Sequence, residues 1–279
     1  MKTLPKLSEQ LHRALNLAGL SKNTKRNYYE AIVLCKKYFR KSLILLSKQD
    51  LEEFFSHLID LNKSQGLIRL RYYALKFLFS NVYKKTFPLD YIPLGKQQKR
   101  LPVVFDFSEI KTILDVTTNK KHKAILSITY SGGLRISETQ NLQVADIDSK
   151  RMTVKVTQGK GKKDRYTILS RATLTDLRLY YAQYYPDQYL FPGYSKDKPL
   201  ATRSMQMILE QALEKAGIQK PATFHTLRHS FATHLYENGI GLPHIQKLMG
   251  HKSLKTTMVY VHLAKTESLA ISSPLDSME

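Results

Sequence analysis

The sequence predicts a mainly α-helical protein with one small β-sheet, divided into two domains. Three observations carry this. At 279 residues the chain exceeds one comfortable hydrophobic core, and with 42% hydrophobic residues it can fill more than one. Apolar residues recur at helical spacing along most of the chain, and only the stretch 152–169 alternates with a period of two. Around residue 95, Pro88, Pro93, Gly95 and the basic run KQQKRLP (96–102) break the pattern. We therefore expect a helical N-terminal domain over 1–95, a linker over 96–102 and a second domain over 103–279.

In the first domain a helix is expected from Ser21 to Phe39, with Tyr28, Ala31, Ile32, Cys35 and Phe39 at helical spacing. Ser47, followed three residues later by Asp50, resembles a capping box. It opens a second helix whose core face holds Leu51, Phe54, Phe55, Leu58 and Ile59. A third should run from about Ser64 to Tyr83 and bury Leu75, Leu78, Phe79 and Val82. The second domain opens with helices near Ser108–Val116 and Lys121–Tyr130. Met152, Val154 and Val156 then alternate with Thr153, Lys155 and Thr157, as in a half-buried strand. QGKGKK (158–163) supplies a turn, and Arg165–Leu169 the returning strand. Helices resume over Arg171–Tyr185, Thr202–Ala216 and Thr226–Glu237, the last stopped by Asn238-Gly239. A short helix, Pro243–Met249, ends at Gly250. Ser253 is placed to cap the next helix, on which Tyr260 lies. The six tyrosines between 180 and 194 are expected to pack rather than to react.

Charge narrows the function. The formal net charge is +21, and residues 1–100 hold 20 Lys and Arg against 7 Asp and Glu, so the excess is spread along the chain rather than confined to a tail. A long polyanion contacted by both halves explains this well, beside the alternatives of a merely soluble basic protein and of contact with an anionic membrane surface. No apolar run approaches the ~18 residues that a membrane span needs, and MKTLPKLSEQ lacks the apolar core of a signal peptide. Cys35 is the single cysteine, which excludes an internal disulfide and a cysteine-rich zinc site. A cytoplasmic protein without membrane contact is the expectation. Lys22, Lys25, Arg26, Arg69, Arg71 and Lys76, on or beside the N-terminal helices, are candidates for phosphate contact. Each taken singly is as well explained by a solvated helix face.

Three stretches concentrate residues suited to a phosphodiester: GGLRISE (132–138), HTLRHSFATHL (225–235) and GHKSLKTTMVY (250–260). Arg135 follows two glycines that permit close backbone approach, and an arginine can grip phosphate bidentately at any working pH. A salt bridge to Glu138 is its competing role, and both can hold if the carboxylate orients the arginine. His225 and Arg228, at i and i+3, share one face near a helix N-terminus, where free N–H groups favour an anion. His229 and His234 read as structural or surface residues. Lys160, in the hairpin turn, could deliver a proton to a leaving oxygen. Plain phosphate contact fits Lys162, Lys163 and Arg165 better. Tyr260 beside these cations could attack as a phenolate, although spacing alone makes it a core residue.

Taken together, the motifs resemble the tyrosine recombinase (phage integrase) family. GLRISE holds its first arginine, HTLRHSFATHL its His-x-x-Arg box, and LMGHKSLKTTMVYVHL its second histidine with the tyrosine nine residues later. RLPVVFDFSEI (100–110) is similar to the entry of the family's catalytic domain. AGIQKPATFHTLRHSFATHL (216–235) and SPLD (273–276) are most similar to integron integrases. Only 65 positions separate Lys160 from His225, however, too few for the insertion those enzymes carry, so an Xer-like or transposon-encoded enzyme is the better expectation. The resemblance implies a SAM-like helical N-terminal DNA-binding domain and a helical catalytic domain decorated by the small sheet. It implies a cofactor-free and metal-free transesterification with Tyr260 as nucleophile and Arg135, Lys160, His225, Arg228 and His251 as the other catalytic residues, supported by Glu138. Its substrate would be double-stranded DNA with paired recombination sites. The protein would be a monomer or dimer when free and a tetramer in synapsis, with 266–279 a tail for docking on a neighbour. A topoisomerase of type IB and a non-catalytic DNA-binding accessory protein are the competing classes.

Overall fold

The computed structural model describes residues 7–89, 101–157 and 164–264. The chain divides into two compact units, Met1–Lys99 and Arg100–Glu279. The turn 158–163, most of the expected linker 96–102 and the expected docking tail 266–279 lie outside the described residues.

The first unit is helical. Helix α1 (Leu7–Leu17) buries Leu11 and Leu15, one turn apart on a short stripe that precedes the first helix expected from the sequence. Helix α2 (Lys22–Phe39) starts where Ser21 accepts the N–H of Thr24, and it buries Ala31, Ile32 and Cys35. At the start of α3 (Lys48–Asp60) the capping box forms: Ser47 Oγ accepts the Asp50 N–H at 3.2 Å, and Asp50 accepts the Ser47 N–H at 2.8 Å. Leu51, Phe54, Phe55 and Leu58 point inward. Ile59, expected with them, is 48% exposed, because it falls at the edge of that stripe in the last turn. Helix α4 (Gln65–Phe77) runs into one π-helical turn, Leu78–Tyr83, so the run expected over 64–83 changes winding at Leu78. Leu11, Cys35, Leu51, Phe54, Leu75 and Leu78 lie in one core.

The second unit begins with α5 (Phe107–Asp115), α6 (Lys120–Ser131) and the short α7 (Ile136–Asn141). Strands β1 (Ile147–Asp148), β2 (Thr153–Val156) and β3 (Arg165–Ile168) form an antiparallel sheet in that order, with Val154 opposite Thr167 and Val156 opposite Arg165. Val154 and Val156 face inward, as the alternation predicts. The two-residue β1 and six-residue α7 are too short to leave a periodic signal. Then come α8 (Arg171–Tyr184), α9 (Thr202–Lys215), α10 (Phe224–Glu237), α11 (Leu242–Met249) and α12 (Leu254–Thr257). Helix α10 starts two residues before the expected Thr226, because the Thr223 N–H donates to Thr226 Oγ1 at 3.0 Å. It joins two apolar clusters. Phe224 and Leu227 belong to the large core, and Phe231 and Ala232 to a smaller one with Ile245, Met249 and Tyr260. The helix expected to carry Tyr260 is shorter than predicted. Ser253 makes no side-chain cap, α12 has four residues, and Tyr260 lies in the 3-10 turn Met258–Tyr260 that follows.

Candidate active site

The site is organised by one buried carboxylate. Glu138 sits in the first turn of α7, whose N-cap is Arg135. Its Oε2 accepts the Arg135 backbone N–H at 2.9 Å, and its Oε1 accepts Arg135 Nη1 at 2.6 Å. The salt bridge weighed for Arg135 forms: its side chain is held by Glu138 and remains 18% exposed. Arg165 grips the same carboxylate from β3, Nη1 to Oε1 at 2.7 Å and Nη2 to Oε2 at 2.8 Å. Arg228 Nη1 lies 3.6 Å from Oε2. Three guanidinium groups surround one carboxylate, which leaves a net positive site.

Arg228 projects from α10 and is almost wholly buried, at 1% exposure. Such a charge is tolerable only when its donors are satisfied. It donates to the carbonyls of Gly133 and Met249, and Nη2 lies 3.2 Å from His251 Nε2. Gly133 permits this approach. Its φ is +59°, and a Cβ there would stand 2.3 Å from the Phe231 ring. Gly250, also at positive φ, ends α11 and turns the chain so that His251 faces Arg228. Because Arg228 can only donate, His251 Nε2 accepts and its Nδ1–H donates to Thr257 Oγ1 at 3.0 Å. The His251 ring stacks at 6.2 Å on that of Tyr260.

These neighbours set protonation. Burial, then the charges of Arg228 and Arg135, pushes His251 down to about 4, so it is neutral at physiological pH. Loss of water, then the same two arginines, also lowers His225, which stays exposed in the first turn of α10. Arg228 falls to about 9 through burial and then Arg135, and remains a cation at neutral pH. For Glu138 burial alone would raise the pKa, but Arg165 and then Arg135 hold it at about 2. Tyr260 corrects the expectation of a phenolate. Arg228 and Arg135 do lower it, yet burial at 1% exposure outweighs them and the phenol rises to about 12.

Arg135, Arg228, His251 and Tyr260 thus meet around Glu138 and the end of α11, with His225 at the rim. Local spacing did not single out His229. Its ring stands 4.9 Å from His225 and 5.8 Å from Tyr260, its Nδ1 is buried without a hydrogen-bond partner, and burial holds it at about 4. The other histidine read as structural, His234, is buried against Phe107 and bonds the Tyr130 hydroxyl at 2.9 Å. Among the described residues no three His, Cys, Asp or Glu side chains are grouped to hold a metal ion.

Residues 104–267 match the profile of the phage integrase family, and residues 7–89 that of a phage integrase N-terminal SAM-like domain. The chain belongs to the phage integrase family. Among its relatives, protein y4qK of Sinorhizobium fredii, which is named for integrase/recombinase likeness, is 36% identical over 272 residues, covering 97% of this chain and 88% of that protein. Tyrosine recombinase XerD of Staphylococcus epidermidis is 31% identical over 269 residues, 89% of this chain and 90% of its own. The fold is shared with the site-specific recombinase XerH bound to difH DNA after cleavage, at TM-score 0.73 and 22% identity over 93% of this chain and 82% of that one. The expected architecture, a SAM-like helical domain with a helical catalytic domain bearing a small sheet, is therefore that of this phage integrase.

Its remaining candidates are placed unevenly. Lys160, Lys162 and Lys163 lie outside the described residues. Lys22, Arg26, Arg69 and Lys76 are exposed on α2 and α4, while Lys25 bonds Asn16 and the half-buried Arg71 sits 6.0 Å from the Phe54 ring. Arg165, expected on DNA phosphates, instead turns inward: its side chain is 10% exposed and its guanidinium is spent on Glu138 and on the Leu248 carbonyl. A partner 27 residues back in the chain outcompetes solvent, because β3 runs directly beside that carboxylate.

Proposed function

We propose that this tyrosine-type recombinase cuts and rejoins duplex DNA at paired specific sites through a 3′-phosphotyrosyl bond to Tyr260. The observation that carries the reading is the convergence of Arg135 and Arg228 on Glu138, with His251 bridging Arg228 to the ring of Tyr260. Fixed guanidinium groups aimed at one spot stabilise the charge that grows on the phosphoryl oxygens. The Tyr260 oxygen bonds to phosphorus as the bond to O5′ breaks, and O5′ leaves as a hydroxyl with a proton from Lys160. Since the phenol is neutral, its proton must depart as it attacks, and the neutral imidazoles of His225 and His251 are free to assist. A 5′-hydroxyl from a partner strand reverses the step and rejoins the DNA without ATP.

The two domains read from the sequence, the first over 1–95 and the second over 103–279, would each bind DNA. Four protomers would act on two sites, with 266–279 docking on a neighbour. Among the described residues no helix is long and apolar enough to cross a membrane, which fits work on cytoplasmic DNA. The finer likeness to integron integrases is weighed against the short stretch between β3 and α10, which α8, α9 and their connections take up. Duplex sites of an Xer-like or mobile-element system are the favoured substrate.

The test is covalent capture. Protein mixed with nicked duplexes drawn from the DNA flanking its own gene should give an SDS-resistant adduct, absent with Tyr260→Phe although binding is kept. Binding by the unaltered protein with no adduct would overturn the enzyme reading in favour of an accessory DNA-binding protein. Relaxation of plasmid lacking any specific site would instead favour a type IB topoisomerase.

A further inference from the structure

We infer that Arg165 is a positioning residue for strand cleavage, the tie that keeps Glu138 on Arg135 and from closing on Arg228, and that fixes the end of α11 leading to His251. The inference rests on the strand-transfer reading above.

Three segments distant in sequence meet on this one guanidinium. From the first residue of β3, Nη1 and Nη2 take both oxygens of Glu138 at 2.7 and 2.8 Å, and Nε donates at 2.8 Å to the carbonyl of Leu248. The side chain passes directly beneath Gly250, where any Cβ would stand 2.8 Å from Arg165 Cδ. The next carbonyl, that of Met249, is taken by Arg228. Two guanidinium groups thus hold successive carbonyls at the C-terminus of α11, the negative end of the helix, just before His251.

The consequence lies in competition for one carboxylate. Glu138 touches Arg135 at 2.6 Å and stands 3.6 Å from Arg228. With both its oxygens held by Arg165, it orients Arg135 but cannot close fully on Arg228. Without Arg165 the carboxylate is free to swing onto Arg228, and a paired guanidinium offers less to a developing phosphoryl charge. Lysine at this position keeps the charge but cannot make the three planar contacts. Because the side chain is only 10% exposed and its donors are used internally, DNA phosphate is not its partner.

A double-mutant cycle separates these roles. Adduct formation on nicked duplex at saturating DNA, and affinity as a function of salt, would be measured for the unaltered protein, Arg165→Met, Arg165→Lys, Glu138→Gln and Arg165→Met with Glu138→Gln. Circular dichroism confirms that each is folded, and Arg165→Lys keeps the test open should Arg165→Met fail to fold. Expected are a rate lower by about a hundredfold in Arg165→Met and less in Arg165→Lys, with affinity and salt slope unchanged. In the Glu138→Gln background, removing Arg165 should cost less than about tenfold, since no carboxylate remains to be held off. Additive losses would overturn the inference in favour of a merely structural contact. Weaker binding with a shallower salt slope and an unchanged rate would overturn it in favour of phosphate contact. No adduct from the unaltered protein on DNA that it binds would instead sink the strand-transfer reading itself.

Discussion

The two units of this phage integrase treat their positive charge in opposite ways. In the N-terminal unit Lys22, Arg26, Arg69 and Lys76 are exposed on α2 and α4, and Arg26 pairs with Glu30 at 3.8 Å on an exposed surface. In the catalytic unit Arg165 and Arg228 are drawn inside, with Arg135 partly so, around one buried carboxylate. Exposed cations act through a screened field, so one can stand in for another. Buried ones act by geometry, and each of these three guanidinium groups has a defined acceptor. The proposed function asks affinity of the first set and chemistry of the second.

The sharpest way to break this contrast is Arg228→Met. It leaves the carbonyls of Gly133 and Met249 without their donor. We expect loss of detectable adduct and destabilisation of about 3 kcal/mol, read from urea unfolding. A variant as stable as the unaltered protein would mean that these contacts are not what holds α10 to α11.

Acid provides an intermediate test. His251 and His229 are held at about 4 in the fold, below the ordinary histidine value, so between about pH 6.5 and 4 the unfolded chain binds protons that the folded one refuses. Stability that is full above that range is lost as pH falls through it. Glu138, held at about 2, adds a further loss below about pH 4.5. In the N-terminal unit Asp50, held at about 2 by Lys41 and Ser47, begins to count only below about pH 4. At pH 5, amide protection relative to the intrinsic exchange rate should therefore fall in α10 and α11 before α2 and α3, and the reverse order would contradict the assignment.

The smallest effects belong to the surface. Arg69→Ala or Lys76→Ala should change stability by no more than about 0.5 kcal/mol. Each true phosphate contact removed should lower the slope of log affinity against log salt by about one. A lost adduct rate at saturating DNA would show that these cations do more than attract.

What could be read from the chain follows the range of the interactions involved. Stripes of apolar residues are local, so α2, α3, α8 and α9 were legible, as were the inward faces of β2 and the capping box at Ser47. Motif likeness singles out Arg135, His225, Arg228, His251 and Tyr260, and the fold gathers them, with His225 at the rim. Arg165 was misread because its partners lie 27 and 83 positions away, and nothing in DRYTI marks the arginine as inward. The acidity of Tyr260 was misjudged for a related reason. Proximity to cations can be guessed from motifs, but enclosure by Phe231, Ile245 and Met249 comes only with the packed fold. His229 was passed over since an i, i+4 pair of histidines carries no signal of its own.

The enclosure of Tyr260 has a bearing on how the protein meets reagents rather than DNA. Tyrosine-selective nitration and iodination attack exposed phenolates. Tyr194 and Tyr185 lie open to them, whereas Tyr260 is 1% exposed and held as a phenol up to about pH 12. The tyrosine proposed to attack DNA is thus among the most enclosed of the described tyrosines, and modifying reagents in solution should reach the open ones first.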